Sequence, residues 1–204
     1  IKKEAEEADI LNLWLEALSQ EQIWIFEGRG KDANWLADYE DSLKQQREVA
    51  QKLENLNHVK LLNWQVKTAA NRIGLVHSPE EREELLALAK HPILHSSEQA
   101  LTTSAARIRF SSLASIYLTL GDKETSLKLE EEIWSIEEAN PRISGLRQKT
   151  AILCSIIITC SQLRNKEKGE WAIEKLKALK CTSEREEEFV FAHGMAGALP
   201  FYFL

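Results

Sequence analysis

Two histidines at helical spacing are the first residues whose types could do chemistry. His91 and His95 stand four positions apart, which is the spacing of two zinc ligands on one face of a helix. Pro92 lies between them, and a proline at this point favours the start or the end of a helix. No third ligand is evident beside the pair. The sequence therefore predicts histidines in a loop or a helix cap, with no metal site and no cofactor.

A short run with two glycines could instead bind phosphate. Residues Gly28 to Lys31 contain the last glycine and the lysine of a phosphate-binding loop. The complete motif also needs a glycine where Ile25 stands and a serine or threonine where Asp32 stands. The run is therefore predicted to be a surface turn between two helices.

Cysteine and histidine could also form a nucleophile and its base, with His193 as the candidate base. Cys154 and Cys160 lie in an apolar stretch, however, and buried cysteines behave as inert small hydrophobic residues. We therefore expect no catalytic residue and no enzyme, and an enzyme on a helical scaffold is kept as an alternative. Together with Cys181 the cysteines are odd in number and lack metal-binding spacing, which favours a reducing compartment and predicts a cytoplasmic protein.

Composition and charge argue against two further classes of function. The chain has 204 residues, 44% of them hydrophobic, and a formal net charge of -6. Such a chain is not expected to bind nucleic acid directly, because a phosphate backbone is bound by clustered cations. The most apolar run, residues 151–158, is too short to span a bilayer, so no membrane association is expected. The charged start at Ile1 is interpreted as the edge of a longer polypeptide.

Helical periodicity and capping signals organise most of the chain. Apolar residues recur at intervals of three and four, which predicts amphipathic helices. Helix starts are predicted after Asp32, after Ser78 with Glu81 as its partner in a capping box, after Ser183 with Glu186 in the same role, and at Asn140-Pro141.

One isoleucine-rich segment could be a buried strand instead of a helix. Residues 151–158 are too short for periodicity to decide between the two. From Leu146 to Leu163, however, no glycine or proline interrupts the chain, and this length suits a buried helix better than a strand. The predicted fold class is therefore all-α.

The predicted helices repeat with a period of 43 residues. The stretches that begin at Leu120 and Leu163 align, with Asp122 on Asn165. A fixed period of this length indicates stacked units of two helices, which predicts antiparallel helix hairpins in a single domain over residues 1–204. The predicted repeats are 12–54, 55–97, 98–140, 141–183 and a partial repeat at 184–204.

The stretch around the first of these turns carries a family pattern. Phe110, Leu113-Ala114, Tyr117 and Gly121-Asp122 follow one another at the spacing of a first helix and its turn, and Ser126 supplies a small residue in the next helix. This pattern resembles that of the tetratricopeptide repeat. The resemblance implies an α-α superhelix, a right-handed solenoid whose concave side holds a segment of a partner protein. Glu130 departs from the family pattern, because an aromatic residue is usual at that position.

If the resemblance holds, the first-helix face opposite Phe110 and Tyr117 lines the groove. The lining is small, neutral and apolar, and it lacks the Lys, Arg and Asn with which some members of the family bind a terminal carboxylate. The alternative is that these faces pack against other helices or against another copy of the chain, as in a homo-oligomer. The residues predicted to contact the partner are Ile108, Ser111, Ser115, Leu118, Thr119, Cys154, Ile158, Ser161, Gln162, Met195 and Leu199.

Tryptophan is frequent in this chain, with six residues. Most of them lie at helical spacing among leucines and isoleucines, so they are predicted to pack in the core and between helices first, and to anchor interfaces second. Together these observations predict a protein-protein interaction scaffold that binds a peptide or a partner protein. A regulatory or sensor segment of a larger signalling or transcription protein is the first alternative.

Overall fold

Helices account for the regular secondary structure of the part of the chain that the structure describes. The computed structural model describes residues 2–7, 9–28 and 34–202, except the side chains of residues 7, 97 and 195–202. No strand occurs among these residues, so the all-α prediction is confirmed. The helices are α1 (Lys2–Glu7), α2 (Leu11–Glu27), α3 (Trp35–Ile73), α4 (Pro79–Ala89), α5 (Pro92–His95), α6 (Thr103–Thr119), α7 (Lys123–Ala139), α8 (Leu146–Leu163), α9 (Lys166–Lys177) and α10 (Glu184–Tyr202), and a short 3-10 helix (Ser97–Gln99) precedes α6.

The isoleucine-rich segment lies inside α8, and the predicted limits of that helix, Leu146 and Leu163, are those observed. Its apolar face is buried on neighbouring helices through Leu153, Ile156 and Ile157. This packing removes the apolar side chains from water, and the helix pairs its own backbone N–H and C=O groups through hydrogen bonds. The helical interpretation of the segment is therefore confirmed.

The helix starts follow the predicted caps in part. At Ser78 the capping box with Glu81 is formed in both directions, as predicted. At Ser183 only half of the box is present: the Glu186 N–H donates to the Ser183 hydroxyl at 3.4 Å. The Glu186 carboxylate instead accepts from the N–H and the hydroxyl of Thr182.

The predicted helix start at Asn140 is wrong. Asn140 closes α7, and its side-chain amide donates to the Ile136 carbonyl at 3.0 Å. A turn follows, and α8 begins only after Gly145. Asn140 and Pro141 therefore mark a helix end, where proline is also common. The predicted cap at Asp32 lies outside the described residues.

Three groups of buried side chains join the helices in chain order. The N-terminal cluster joins α1, α2 and the first half of α3 to the start of α6, and it includes Trp14 and Leu18. The central cluster joins the second half of α3 to α4, α5 and α6 through Val66, Leu85 and Ile116. The C-terminal cluster joins α7, α8 and α9. Most helices thus bury apolar side chains on the helix before or after them, whereas α3 also packs on α6, and α10 packs mainly on α8.

The N-terminal half differs from the predicted repeat frame at one boundary. The limit predicted between residues 54 and 55 falls inside α3, which continues for 39 residues without a break. At 1.5 Å per residue this helix is about 58 Å long. The limit between residues 97 and 98 falls in the 3-10 helix, and the limit between 140 and 141 falls in the turn before α8.

The C-terminal half contains two hairpins with the same local geometry. The first helices begin at Thr103 and Leu146, and the second helices begin at Lys123 and Lys166, 43 residues apart in both cases. Both turns pass through a left-handed residue, Gly121 at φ 83° and Arg164 at φ 55°. The side chains of Asp122 and Asn165 cap the second helices by accepting the N–H groups of Thr125 and Lys168, respectively. In the turns, the backbone N–H of Asp122 donates to Tyr117 O and that of Asn165 donates to Cys160 O, both at 2.9 Å.

Candidate partner-binding surface

The close approach of α6 and α7 orients the face that was predicted to bind a partner. Ala114 and Ser126 are both buried, and the Ser126 hydroxyl donates to the Ala114 carbonyl at 3.0 Å. Small residues on both helices permit this contact, because a larger side chain at either position would separate the helices. The small pair identified in the sequence therefore lies where α6 and α7 meet.

On α6, one predicted contact residue is buried and the other four are half-buried. Ile108 packs against the N-terminal cluster. Thr119 is buried, and its carbonyl accepts the Val76 N–H at 3.2 Å. The hydroxyls of Thr119 and Ser115 donate back to Ser115 O and Ser111 O in the same helix, both at 2.9 Å. Leu118, Ser111 and Ser115 are half-buried.

On α8, the structure separates the predicted residues into covered and exposed ones. The Cys154 thiol donates to the His193 carbonyl of α10 at 3.4 Å, and Ser161 is buried. Ile158 keeps 41% of its surface exposed, and Gln162 is also exposed. The side chains of Met195 and Leu199 lie outside the described residues. Within the described part of the chain, Ile158 and Gln162 are therefore the α8 members of the predicted set that a partner could reach.

A buried carboxyl group that the sequence interpretation missed lies between α7 and α8. Glu130 is buried, and the Ser155 hydroxyl donates to its Oε1 atom. Its Oε2 atom is buried without a hydrogen-bond partner, and no described cation lies within ion-pair distance. Burial raises the pKa of Glu130 to about 7, against the smaller lowering effect of the hydrogen bond from Ser155. This carboxyl group therefore titrates near neutral pH at the junction of the two hairpins.

A second buried carboxyl group closes the end of α7. The Ser144 hydroxyl donates to Oε2 of Glu137, and the Arg107 guanidinium lies 3.6 Å from Oε1. Burial raises the pKa of Glu137, while the charges of Arg107 and Lys149 oppose that shift. This side chain joins α6 and the turn before α8 to the end of α7.

The signal for both carboxyl groups was present in the sequence. Leu127, Glu130, Trp134 and Glu137 recur at intervals of three and four on α7, and all four are buried. Their spacing is that of a core-facing stripe. Glu130 was noted in the sequence only as a departure from the family pattern, and the burial of neither acid was predicted.

The chemical motifs of the sequence do not assemble into a reactive site among the described residues. The His91 ring accepts the Ile93 N–H at 3.4 Å and caps α5, as a capping histidine would. No described group of three potential ligands could hold a metal ion. Burial raises the pKa of the Cys160 thiol to about 11, and Cys154 meets His193 through the backbone carbonyl. Residues 29–33, which carry most of the glycine-rich run, lie outside the described residues.

The tryptophans divide between the core and the surface. Trp14 and Trp134 are buried, whereas Trp24 and Trp64 keep 69% and 65% of their surface exposed. Trp134 also meets Trp171 edge to face, with ring centroids 6.4 Å apart. Core packing therefore explains some of these residues, whereas Trp24 and Trp64 lie mostly exposed on the described surface.

Comparison with known proteins places the chain in no family. No protein-family model matches it, and no curated protein and no solved structure gives a significant match. In the part of the chain that the structure describes, no helix is both long and apolar enough to cross a bilayer.

Proposed function

We propose that the chain is a partner-binding scaffold of tetratricopeptide-like helix hairpins, stacked as a right-handed superhelix, and that it acts in the cytoplasm. The partner is a protein or a peptide, and the surface that receives it includes Ile158 and Gln162 on α8. Recognition is an equilibrium process without a chemical step.

One observation carries this proposal: the hairpin formed by α6 and α7 recurs 43 residues later as α8 and α9, with an equivalent turn and an equivalent side-chain cap on its second helix. Units that repeat in this way pack on their neighbours and present continuous surfaces. Such surfaces are already ordered before binding, so little conformational entropy is lost when a partner binds.

The α8 surface has the composition that a protein interface requires. Ile158 is an apolar side chain exposed in the middle of a helix whose other face is buried in the C-terminal cluster. Gln162 lies one turn further on the same side and can donate and accept hydrogen bonds. An apolar contact beside a neutral polar group fits an interface better than a solvated face, which would carry charges.

The proposal is tested by capturing the partner with the wild-type chain as bait and identifying it. A double variant serves as the control bait. Wild-type chain and the Ile158→Glu, Gln162→Glu variant are cross-linked in native lysate, and the captured proteins are identified by mass spectrometry. The leading candidate is then purified, and its Kd is measured by calorimetry. We expect the variant to bind at least about tenfold more weakly, because a carboxylate would be desolvated at the interface.

A matched control separates the α8 surface from a general effect of added charge. Leu36 is an exposed leucine on α3, far along the chain from α8. Leu36→Glu adds one charge at a similar exposure, and it is therefore compared with Ile158→Glu as a single α8 variant. Circular dichroism verifies that each variant is folded. If Leu36→Glu weakens binding as much as the α8 variant does, or if neither variant weakens it, the proposed surface is wrong.

A further inference from the structure

A tryptophan on the outward face of α3 has no packing role within the described structure. Trp64 is 65% exposed and Leu61, one turn before it, is 56% exposed. At 100° per residue, Trp64 lies roughly 160–200° from Leu62, Val66 and Ile73, which form the buried face of the same helix. The indole therefore points away from the core, where burial of such a side chain would be most favourable.

Two uncompensated cations flank this apolar pair. Lys60 and Lys67 stand four residues before and three residues after Trp64, so both lie beside the indole on the helix surface. Neither has an ion-pair partner among the described residues, although other lysines do, such as Lys175 with Glu138.

The surrounding sequence has no acidic residue to compensate the two lysines. Residues 55–79 contain no Asp or Glu, in a chain that has 32 of them and a net charge of -6. In the same interval Lys60, Lys67 and Arg72 supply positive charge, and among the described residues only Arg72 forms an ion pair, with Glu84 of α4. The region around Trp64 is therefore a locally basic and apolar surface on an acidic protein.

We infer that Lys60, Leu61, Trp64 and Lys67 form a docking surface for an acidic, amphipathic segment of a partner protein. We call these four residues the α3 surface. This inference rests on the proposed function and names the chemistry of one partner segment. The indole and the leucine receive its apolar side chains, and the two ammonium groups pair with its carboxylates.

Physical complementarity selects this occupant. An exposed indole beside a leucine is a typical interface anchor, because the aromatic ring buries a large area with little loss of rotamer freedom. The adjacent ammonium groups favour acidic partners and disfavour basic ones, and they accelerate association at low salt. A long, uninterrupted helix also gives the segment a rigid surface over several turns.

The test uses a defined probe. A fluorescein-labelled peptide of about five helical turns carries leucines at helical spacing and glutamates elsewhere, and a matched peptide carries lysine in place of each glutamate. Fluorescence anisotropy measures the Kd of both peptides for the wild-type chain at low and high salt. We expect the acidic peptide to bind at least about tenfold more tightly than the lysine peptide, with the difference reduced at high salt.

Three variants locate the binding. Trp64→Ala is expected to weaken binding of the acidic peptide, with a rise in Kd of at least about tenfold, because the variant lacks the interface anchor. Trp24→Ala removes an equally exposed indole from α2 and is expected to leave the Kd unchanged. Lys60→Glu with Lys67→Glu is expected to reverse the preference, so that the lysine peptide binds more tightly.

Several outcomes overturn the inference. The inference is wrong if the acidic and lysine peptides bind with equal Kd, or if Trp64→Ala and Trp24→Ala change the Kd of the acidic peptide equally. If an oligothymidine strand binds in place of the acidic peptide, nucleic acid covers this surface. If sedimentation shows a dimer that Trp64→Ala dissociates, a second copy of the chain covers it. The Ile158→Glu, Gln162→Glu variant is expected to bind the acidic peptide normally, so failure of the α8 surface and failure of the α3 surface are distinguishable.

Discussion

The buried carboxyl group of Glu130 makes the stability of the protein depend on pH near neutrality. The pKa of Glu130 is about 7 in the folded protein, whereas its ordinary value, which applies to the unfolded chain, is 4.5. Between these two values the folded state keeps a proton that the unfolded state has released. The free energy of unfolding therefore falls as the pH rises through this interval, by about 1.4 kcal/mol per pH unit, and levels off above the folded pKa.

The substitution Glu130→Gln removes this dependence. The amide is neutral at every pH, and its oxygen can still accept the Ser155 hydroxyl. At pH 5 the wild-type carboxyl group is protonated in the folded protein, so we expect the two proteins to have similar stability. At pH 8 the wild type has lost the contribution of the proton, and we expect the variant to be more stable by about 3 kcal/mol.

Urea unfolding followed by circular dichroism at pH 5 and pH 8 measures this effect. The decisive quantity is the change in the free energy of unfolding between the two pH values, compared between wild type and variant. Other groups, including Glu137, cancel in that comparison. Glu132→Gln, on the exposed side of the same helix, is the control and is expected to change little. If Glu130→Gln has the same pH dependence as the wild type, the assigned burial of this carboxyl group is wrong.

Three further predictions concern the same pair of hairpins. Glu137→Ala removes the carboxylate that faces Arg107 and is expected to cost about 3 kcal/mol, because it leaves a partly buried cation uncompensated; thermal unfolding measures this. Ser126→Val adds bulk at the closest contact of α6 and α7 and removes a buried hydrogen bond, with an expected cost of about 1–3 kcal/mol in urea unfolding, whereas Ser126→Ala should cost less. Gly121→Ala places a side chain at φ 83° and is expected to destabilise the protein by about 1 kcal/mol, whereas Arg164→Gly at φ 55° is expected to be neutral or stabilising; the melting temperature should fall for the first variant, and a fall of similar size for the second would contradict the reasoning.

Local structure was predictable wherever one signal dominated its surroundings. The limits of α8 follow from an uninterrupted apolar stretch, and the capping box at Ser78 follows from four consecutive residues. The matching turns at Gly121 and Arg164 follow from a repeat in the sequence itself. In each case the determining interactions lie within one helical turn or one loop of the residue concerned.

Features set by distant contacts were not predictable in the same way. The continuity of α3 through residue 54 depends on where α2 and α6 pack along it, and sequence rhythm suggested a break. The Thr119 carbonyl accepts the N–H of Val76, which lies 43 residues earlier in the chain, so the burial of Thr119 depends on a distant segment. The partner-binding role of Ile158 and Gln162 stays a prediction, since burial separates accessible residues from covered ones and does not name a ligand.

The repeat explains why pH sensitivity concentrates at one junction. An offset of 43 residues carries Glu130 of α7 onto Ile173 of α9, and Ile173 is buried in the C-terminal cluster. The two hairpins thus have equivalent turns and equivalent caps on their second helices, but one presents a carboxyl group to the next helix and the other presents an apolar side chain. Because Ile173 has no proton to exchange, raising the pH weakens the packing of α7 on α8 and leaves the contacts of Ile173 unchanged. After correction for the intrinsic rate, hydrogen exchange at pH 8 is expected to be faster than at pH 5, and the increase is expected to be larger in the amides of α7 near Glu130 than in those of α9. Equal changes in both helices would contradict this local origin.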